Sequence, residues 1–168
     1  MLAKAQQTIR PAALGLMGSA AVSGVLMLLV AVASLVGAVA LVASAGGSPG
    51  PDATVGAVLL SINAAIHGGI AVGQLFVGYG ALRMLRTHGF GWAVAAPIVH
   101  MAIALIHGGI LFMMANVFAC LVVIPEVGLA LPAGVFAMTR VFDPSVRRAF
   151  AAVERNPDLM EVTRYGEA

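Results

Sequence analysis

Two segments of the chain each place a histidine and two glycines inside a long apolar run. They read AAIHGGIAVGQ from Ala64 to Gln74 and ALIHGGILFMM from Ala104 to Met114. Both contain the pattern A-x-I-H-G-G-I, which predicts similar surroundings for His67 and His107. Ionisable residues in such runs are costly in lipid, so they face the interior of a helical bundle or a water-filled cavity. The two histidines are therefore the first candidates for a functional site.

Further polar residues lie in the same apolar runs at helical spacing. Asn63, His67 and Gln74 share one helix face because they are four and eleven residues apart. His100 and His107 are seven residues apart and also share a face. The predicted buried polar cluster, with one acid from the last apolar run, is Asn63, His67, Gln74, His100, His107 and Glu126.

The composition requires a lipid environment for these runs. The chain has 168 residues, of which 61% are hydrophobic and 10% charged, and its mean hydropathy is +1.01. A soluble domain carries about 25% charged residues, and a membrane-spanning helix needs roughly 20 apolar residues. We therefore predict an all-α, four-helix bundle that is integral to a membrane. Its predicted spans are roughly 16–43, 55–82, 90–115 and 117–139.

The basic residues predict the orientation of these spans. All nine Lys and Arg residues lie before the first span, between the second and third, or after the fourth. The loop between the first two spans has no base and one acid, Asp52. Because cytoplasmic loops collect Lys and Arg, both termini are expected in the cytoplasm. The expected location is the bacterial inner membrane, which the chain would cross several times.

Two alternative readings concern the first span and the last turn. The sequence ASA at Ala43–Ala45 resembles a signal-peptide cleavage site, but the preceding apolar run exceeds the about 7–15 residues of a signal sequence. The turn between the last two spans is placed near Asn116. A turn at Pro125-Glu126 would leave one span too long and the other barely long enough.

The depth of each polar residue predicts one specific pair. His107 lies nine residues before Asn116, and Glu126 lies ten residues after it. At about 1.5 Å per residue, the two side chains would lie at nearly the same level on neighbouring helices. We therefore predict a contact between Glu126 and His107. The polar residues together would form a band through the outer half and the middle of the membrane.

Residues 1–140 thus form the predicted transmembrane domain, and residues 141–168 form a short amphipathic cytoplasmic tail. Asp143 followed by Pro144 is typical of a helix start. Val146, Phe150 and Val153 then recur at helical spacing, with arginines elsewhere around the helix. Such a helix would lie on anionic headgroups. The alternative is a docking site for a partner or for a second copy.

Three functions are compatible with the polar cluster. In the first, hydrogen bonds between helices fix their register, and the protein is a structural or assembly component of a membrane oligomer or complex. In the second, the chain is a b-type cytochrome subunit in which His67 and either His107 or His100 are axial ligands of haem b. In the third, Glu126 and the membrane histidines form part of an oligomeric proton or cation channel or transporter.

The assembly function is the principal prediction, and it requires no cofactor. The expected partners are the lipid bilayer and either further copies of the chain or other membrane subunits. The single Cys120 excludes an intramolecular disulfide and a cysteine-based metal cluster. The sequence contains no Walker loop, G-x-S-x-G, H-E-x-x-H or Rossmann fingerprint.

We therefore predict neither an enzyme nor a nucleic-acid-binding protein, and no catalytic or metal-ligand set is assigned. In general outline the chain resembles small bacterial tetraspan proteins, a resemblance that gives no residue a role.

Overall fold

A computed structural model gives the fold of the chain. It describes the backbone of residues 2–46, 50–113 and 117–159, and the side chains of these residues apart from 110–126. The described chain is helical, and its elements are α1 (Leu2–Ser44), α2 (Pro51–Leu85), α3 (Phe90–Met113), α4 (Val117–Val141) and α5 (Pro144–Arg155).

The four long helices pack side by side, with α1 against α2 and α4, and α3 against α2 and α4. Three of them are long and apolar enough to cross a membrane: α1, α2 and the segment Phe90–Gly109 of α3. The part of α4 whose side chains are described, Val127–Val141, is apolar but shorter than these three segments. Helices satisfy their own backbone hydrogen bonds, as lipid requires. The structure therefore confirms three of the predicted apolar helices and indicates a membrane protein.

The first helix is longer than the predicted span 16–43. It begins at Leu2 and continues through Pro11. Its first turns contain Lys4 and Arg10. These turns bury Ala5 and Ile9, which belong to a hydrophobic core shared with the ends of α2, α3 and α4 and with α5. We call this end of the molecule, which carries Arg83, Arg86 and Arg140, the basic end. Contact with α5 explains why helix α1 extends beyond its apolar run.

Helix α5 is amphipathic, as predicted, but its apolar face is covered by protein. Val146, Ala149, Phe150 and Val153 are buried, and α5 contacts α1, α3 and α4. The Phe150 ring packs against Phe90 at 5.5 Å between centroids. The Phe90 N–H donates a hydrogen bond of 3.1 Å to Glu154 Oε1, which satisfies a free amide in the first turn of α3. Helix α5 therefore packs on the basic end, with its apolar face against protein and its arginines exposed.

Asp143 caps α5, and its cap makes the tail sensitive to acid. Hydrogen bonds from the Ser145 hydroxyl and backbone N–H hold the pKa of the Asp143 carboxyl below its ordinary value of 3.8. The pKa is lower in the folded state, so the stabilisation is complete above 3.8 and is lost as pH falls through the lowered value. We expect Asp143→Ala to lower the unfolding midpoint equally from pH 8 to pH 5. Below the ordinary pKa, the difference from wild type should shrink; a difference that grows on acidification would contradict the cap.

The turn between α2 and α3 contains a strained threonine. Thr87 is buried and has a φ of 46°, a conformation that β-branched residues rarely adopt. The His88 N–H bonds to the Arg83 carbonyl, and the Thr87 N–H bonds to the Met84 carbonyl. These two bonds define a Schellman motif in which the left-handed position is usually glycine. The Thr87 hydroxyl is also the one buried side-chain oxygen or nitrogen of the described residues that lacks a hydrogen-bond partner.

We expect Thr87→Gly to stabilise the fold by about 1 kcal/mol, because it removes left-handed strain and an unpaired hydroxyl at the cost of some backbone entropy. Thr87→Ala is the control, since it removes the hydroxyl and the γ-methyl group but keeps a β-carbon at the strained φ. Unfolding of both variants in mixed detergent–SDS micelles would measure the two effects. A Thr87→Gly variant no more stable than Thr87→Ala would show that the φ carries no strain.

Candidate functional site

Helices α1 and α2 carry polar residues at matching intervals. Ser23 and Ser34 of α1 are eleven residues apart, as are Asn63 and Gln74 of α2. Because the two helices are antiparallel, Ser23 meets Gln74 and Ser34 meets Asn63. The same pairing would misalign if either helix moved by one residue along the other. These contacts therefore fix the register of the α1–α2 pair.

The basal network, nearer the basic end, joins three helices through Ser19, Ser23, Gln74 and His100. His100 is fully buried, and its Nδ1 lies 2.8 Å from Gln74 Oε1. The Gln74 amide nitrogen donates to Ser23 Oγ at 3.2 Å. Ser19 Oγ lies 2.8 Å from His100 Nε2. A single histidine of α3 thus connects two hydrogen-bonding residues on α1 with one on α2.

The distal network, farther from the basic end, consists of Ser34, Asn63, His67 and His107. Asn63 Nδ2 donates to Ser34 Oγ at 2.7 Å. His67 Nδ1 lies 2.8 Å from the Asn63 backbone carbonyl oxygen, and its Nε2 lies 3.2 Å from His107 Nε2. The two rings meet edge to face, with centroids 5.0 Å apart. Both histidines are buried.

The partners determine which ring nitrogen carries a hydrogen. The Asn63 carbonyl only accepts, so His67 Nδ1 must donate and, in a neutral ring, Nε2 offers its lone pair. His107 then donates through Nε2–H to His67. By the same argument His100 donates from Nδ1 to Gln74 and accepts the Ser19 hydroxyl hydrogen at Nε2. In this arrangement each described hydrogen bond of the two networks pairs a donor with an acceptor.

The two networks lie at separate levels along α2 and α3. His67 and Gln74 are seven residues apart, as are His107 and His100, which corresponds to about 10 Å along each helix. Apolar residues occupy the interval: Ala104 is buried, and a Cβ on Gly73 would lie 2.9 Å from Ile103 Cδ1. No polar side chain of the described residues bridges the two levels.

The geometry of the histidine pair bears on the predicted haem ligands. An iron held between two axial imidazoles separates their ligating nitrogens by roughly 4 Å, twice a typical metal–nitrogen bond. The two Nε2 atoms of His67 and His107 are 3.2 Å apart, and their rings are nearly perpendicular. Gly69 and Gly109 are exposed, and an added Cβ would meet no atom within 4 Å. These two glycines therefore face outward. The other predicted ligand, His100, belongs to the basal network.

The predicted contact between Glu126 and His107 lies outside the described residues, because the Glu126 side chain is not among them. The described partner of His107 is His67. Among the residues that the structure describes, no group of three His, Cys, Asp or Glu side chains is arranged to hold a metal ion.

Sequence reasoning did not single out the serines of α1. Ser19, Ser23 and Ser34 are buried and supply the α1 partners of both networks. Serine is unremarkable in an apolar helix, because its hydroxyl often bonds the carbonyl one turn earlier. The signal that identifies two of them is the eleven-residue interval shared by Ser23–Ser34 and Asn63–Gln74; no such interval identifies Ser19.

No model of a protein family, no curated protein and no solved structure matches this chain.

Proposed function

We propose that the chain is a four-span integral membrane protein, with both termini in the cytoplasm, that serves as a structural or assembly subunit of a membrane oligomer or complex. The observation that carries this proposal is the mutual satisfaction of the buried polar residues. The basal and distal networks pair their groups with one another across α1, α2 and α3. Each such bond between helices in lipid contributes about 0.6–2 kcal/mol, and the set fixes one register.

The orientation follows from charge. The basic end carries Arg83, Arg86 and Arg140, whereas the helix ends at Ser44 and Pro51 have no base beside them. The positive-inside rule places the basic end in the cytoplasm. With α4 as the fourth span, the Lys and Arg residues that the structure describes then lie on one side of the membrane.

Assembly is supported by small residues on the outer surface. Gly109 of α3 and Gly128 of α4 are exposed, and an added Cβ at either would meet no atom of the chain within 4 Å. Exposed glycines allow the backbone of another helix to approach closely, which drives association of helices in lipid. We expect such an approach on the α3–α4 side.

The test is the mass of the purified protein in a mild detergent, determined by light scattering. The monomer mass is 17.0 kDa, and we expect a defined multiple of it or a complex with a second membrane protein. Gly109→Leu and Gly128→Leu should reduce this assembly while the unfolding of the chain stays unchanged. A monomer in several mild detergents would contradict the assembly function.

The same purified protein tests the two alternative functions, haem binding and ion conduction. A Soret band that His67→Ala removes would establish a haem protein. Proton or cation flux into liposomes that His100→Leu removes would establish conduction. Either result would overturn the structural proposal, which expects the histidine variants to lose stability and nothing else.

A cysteine introduced at Asp52, in a Cys120→Ala background, would test the orientation by its reaction with an impermeant maleimide.

A further inference from the structure

An apolar groove of about 630 Å³ runs along the outer surface between α1 and α2. Its residues include Met17, Gly24 and Leu28 of α1 and Gly68, Gly78 and Leu82 of α2. An added Cβ at Gly68 or Gly78 would meet no atom within 4 Å, so the absence of side chains at these positions keeps the groove open.

The dimensions of the groove match one leaflet of a bilayer. Its α1 side extends over twelve residues, from Met17 to Leu28, or about 16 Å of helix between the two ends. Half of a hydrocarbon core of about 30 Å is about 15 Å. The end at Leu82 directly precedes Arg83, so the groove begins at the basic end and stops near the middle of the membrane.

Positive charge surrounds only this end of the groove. Arg83 lies over the Tyr79 ring, 5.1 Å from its centroid, and its Nε donates to the Tyr79 hydroxyl at 2.8 Å. Tyr79 itself lines the groove. Arg10 is exposed and lies two turns before Met17 on the same face of α1. Among the described residues, neither Arg10 nor Arg83 forms an ion pair with an acid, and Arg10 is exposed.

We propose that this groove binds an anionic phospholipid of the leaflet at the basic end. One acyl chain would fill the groove along α1 and α2, and Arg83 and Arg10 would bind the phosphate. Tyr79 positions Arg83 at the level where headgroups lie. This inference rests on the membrane placement proposed above, but it does not depend on assembly with other subunits.

Charge favours a lipid over a second copy of the chain in the groove. Two copies in the same membrane have the same orientation, so a two-fold pairing of grooves would bring their basic ends together. Arg83 of one copy would then face Arg83 of the other, and like charges repel. A phospholipid instead brings a negative phosphate to the same position and an apolar chain of matching length.

The test is native mass spectrometry of the full chain in detergent with equal amounts of phosphatidylglycerol and phosphatidylcholine that carry identical acyl chains. We expect phosphatidylglycerol to be retained about fivefold more than phosphatidylcholine for each guanidinium that binds it. Arg83→Gln should remove most of this preference. Arg140→Gln is the matched control, since Arg140 lies at the end of α4 and over the Phe136 ring.

Two adjacent glycines test the groove itself. Gly68→Leu fills the groove, whereas Gly69→Leu places the same side chain on the exposed surface beside it. An added Cβ at either position would meet no atom within 4 Å. We expect Gly68→Leu to abolish retention of phosphatidylglycerol and Gly69→Leu to preserve it. Equal retention by the two variants, or equal retention of the two lipids by the wild type, would overturn the proposal.

A dimer that Gly68→Leu disrupts, without bound lipid, would show that a second copy occupies the groove and would also overturn it. The outcome separates this inference from the proposed function. A chain that assembles but retains no phosphatidylglycerol contradicts the lipid site alone, and a monomer that retains it contradicts assembly alone.

Discussion

Gly80→Ala is expected to destabilise the fold by about 2 kcal/mol, the range found when a methyl group is forced into a packed interface. An added Cβ on Gly80 would overlap Ala96 Cβ and would lie 3.0 Å from the Trp92 carbonyl oxygen. The second contact is with backbone, which no change of rotamer relieves. Helices α2 and α3 must therefore separate, and the edge contact between Tyr79 and Trp92, now 5.3 Å between centroids, should weaken.

Gly78→Ala is the matched control for this substitution. It lies two residues earlier on the same helix, and its added Cβ would meet no atom within 4 Å. Because alanine is a better helix former than glycine, we expect this variant to be more stable by about 0.5–1 kcal/mol. Unfolding in SDS, followed by the fluorescence of Trp92, the only tryptophan, would compare the two. Similar stability of the two variants would show that the helices do not approach closely at Gly80.

Ala96→Gly provides a second check in the Gly80→Ala background. It removes the side chain that the new methyl group meets and leaves the Trp92 carbonyl in place. We therefore expect partial recovery of stability in the double variant. No recovery would indicate that the backbone contact alone sets the helix separation.

His100→Leu is expected to destabilise the fold by about 2–4 kcal/mol, because it leaves two buried polar groups without their partner. Gln74 Oε1 loses the Nδ1–H donor, and the Ser19 hydroxyl loses its acceptor. Leucine occupies a similar volume, so little of the loss comes from a cavity. The effect should appear as a lower free energy of unfolding with no change in the mass of the assembly.

Gln74→Leu tests whether this loss belongs to the network. If the two side chains act through their shared hydrogen bond, the double variant should lose less stability than the two single losses combined, with a coupling of about 0.5–3 kcal/mol. Ser61→Ala is the control, because Ser61 Oγ bonds only to the Ala57 carbonyl of its own helix. Additive losses at His100 and Gln74 would show that the basal network does not act as a unit.

The sequence by itself determined the all-helical class and the apolar helices. Long uncharged runs leave no surface for water, and a chain in lipid must bond its backbone internally, so composition alone decides the secondary structure. Local signals also decided the start of α5, since Asp143 and Pro144 act within one turn of helix. Helical periodicity predicted one shared face for Asn63, His67 and Gln74 and another for His100 and His107. In the structure Asn63 is half-buried and the other four are buried.

The tertiary structure decided which polar groups meet. Depth counted from a turn gives a level along the membrane but not the neighbour at that level, because it ignores how the helices rotate and in which order they pack. The partner of His107 in the described residues is His67 on α2, which depth alone did not select. The serines of α1 join both networks only because the antiparallel α1–α2 pairing aligns two equal intervals.

The position of the tail was also a tertiary outcome. Its sequence predicts an amphipathic helix, and the apolar face of such a helix is satisfied equally by lipid or by protein. The early turns of α1 and the Phe90 ring supply a protein surface for Phe150, so α5 packs on the chain itself. Sequence periodicity thus determines which face of a helix is buried, whereas packing across the chain determines what buries it.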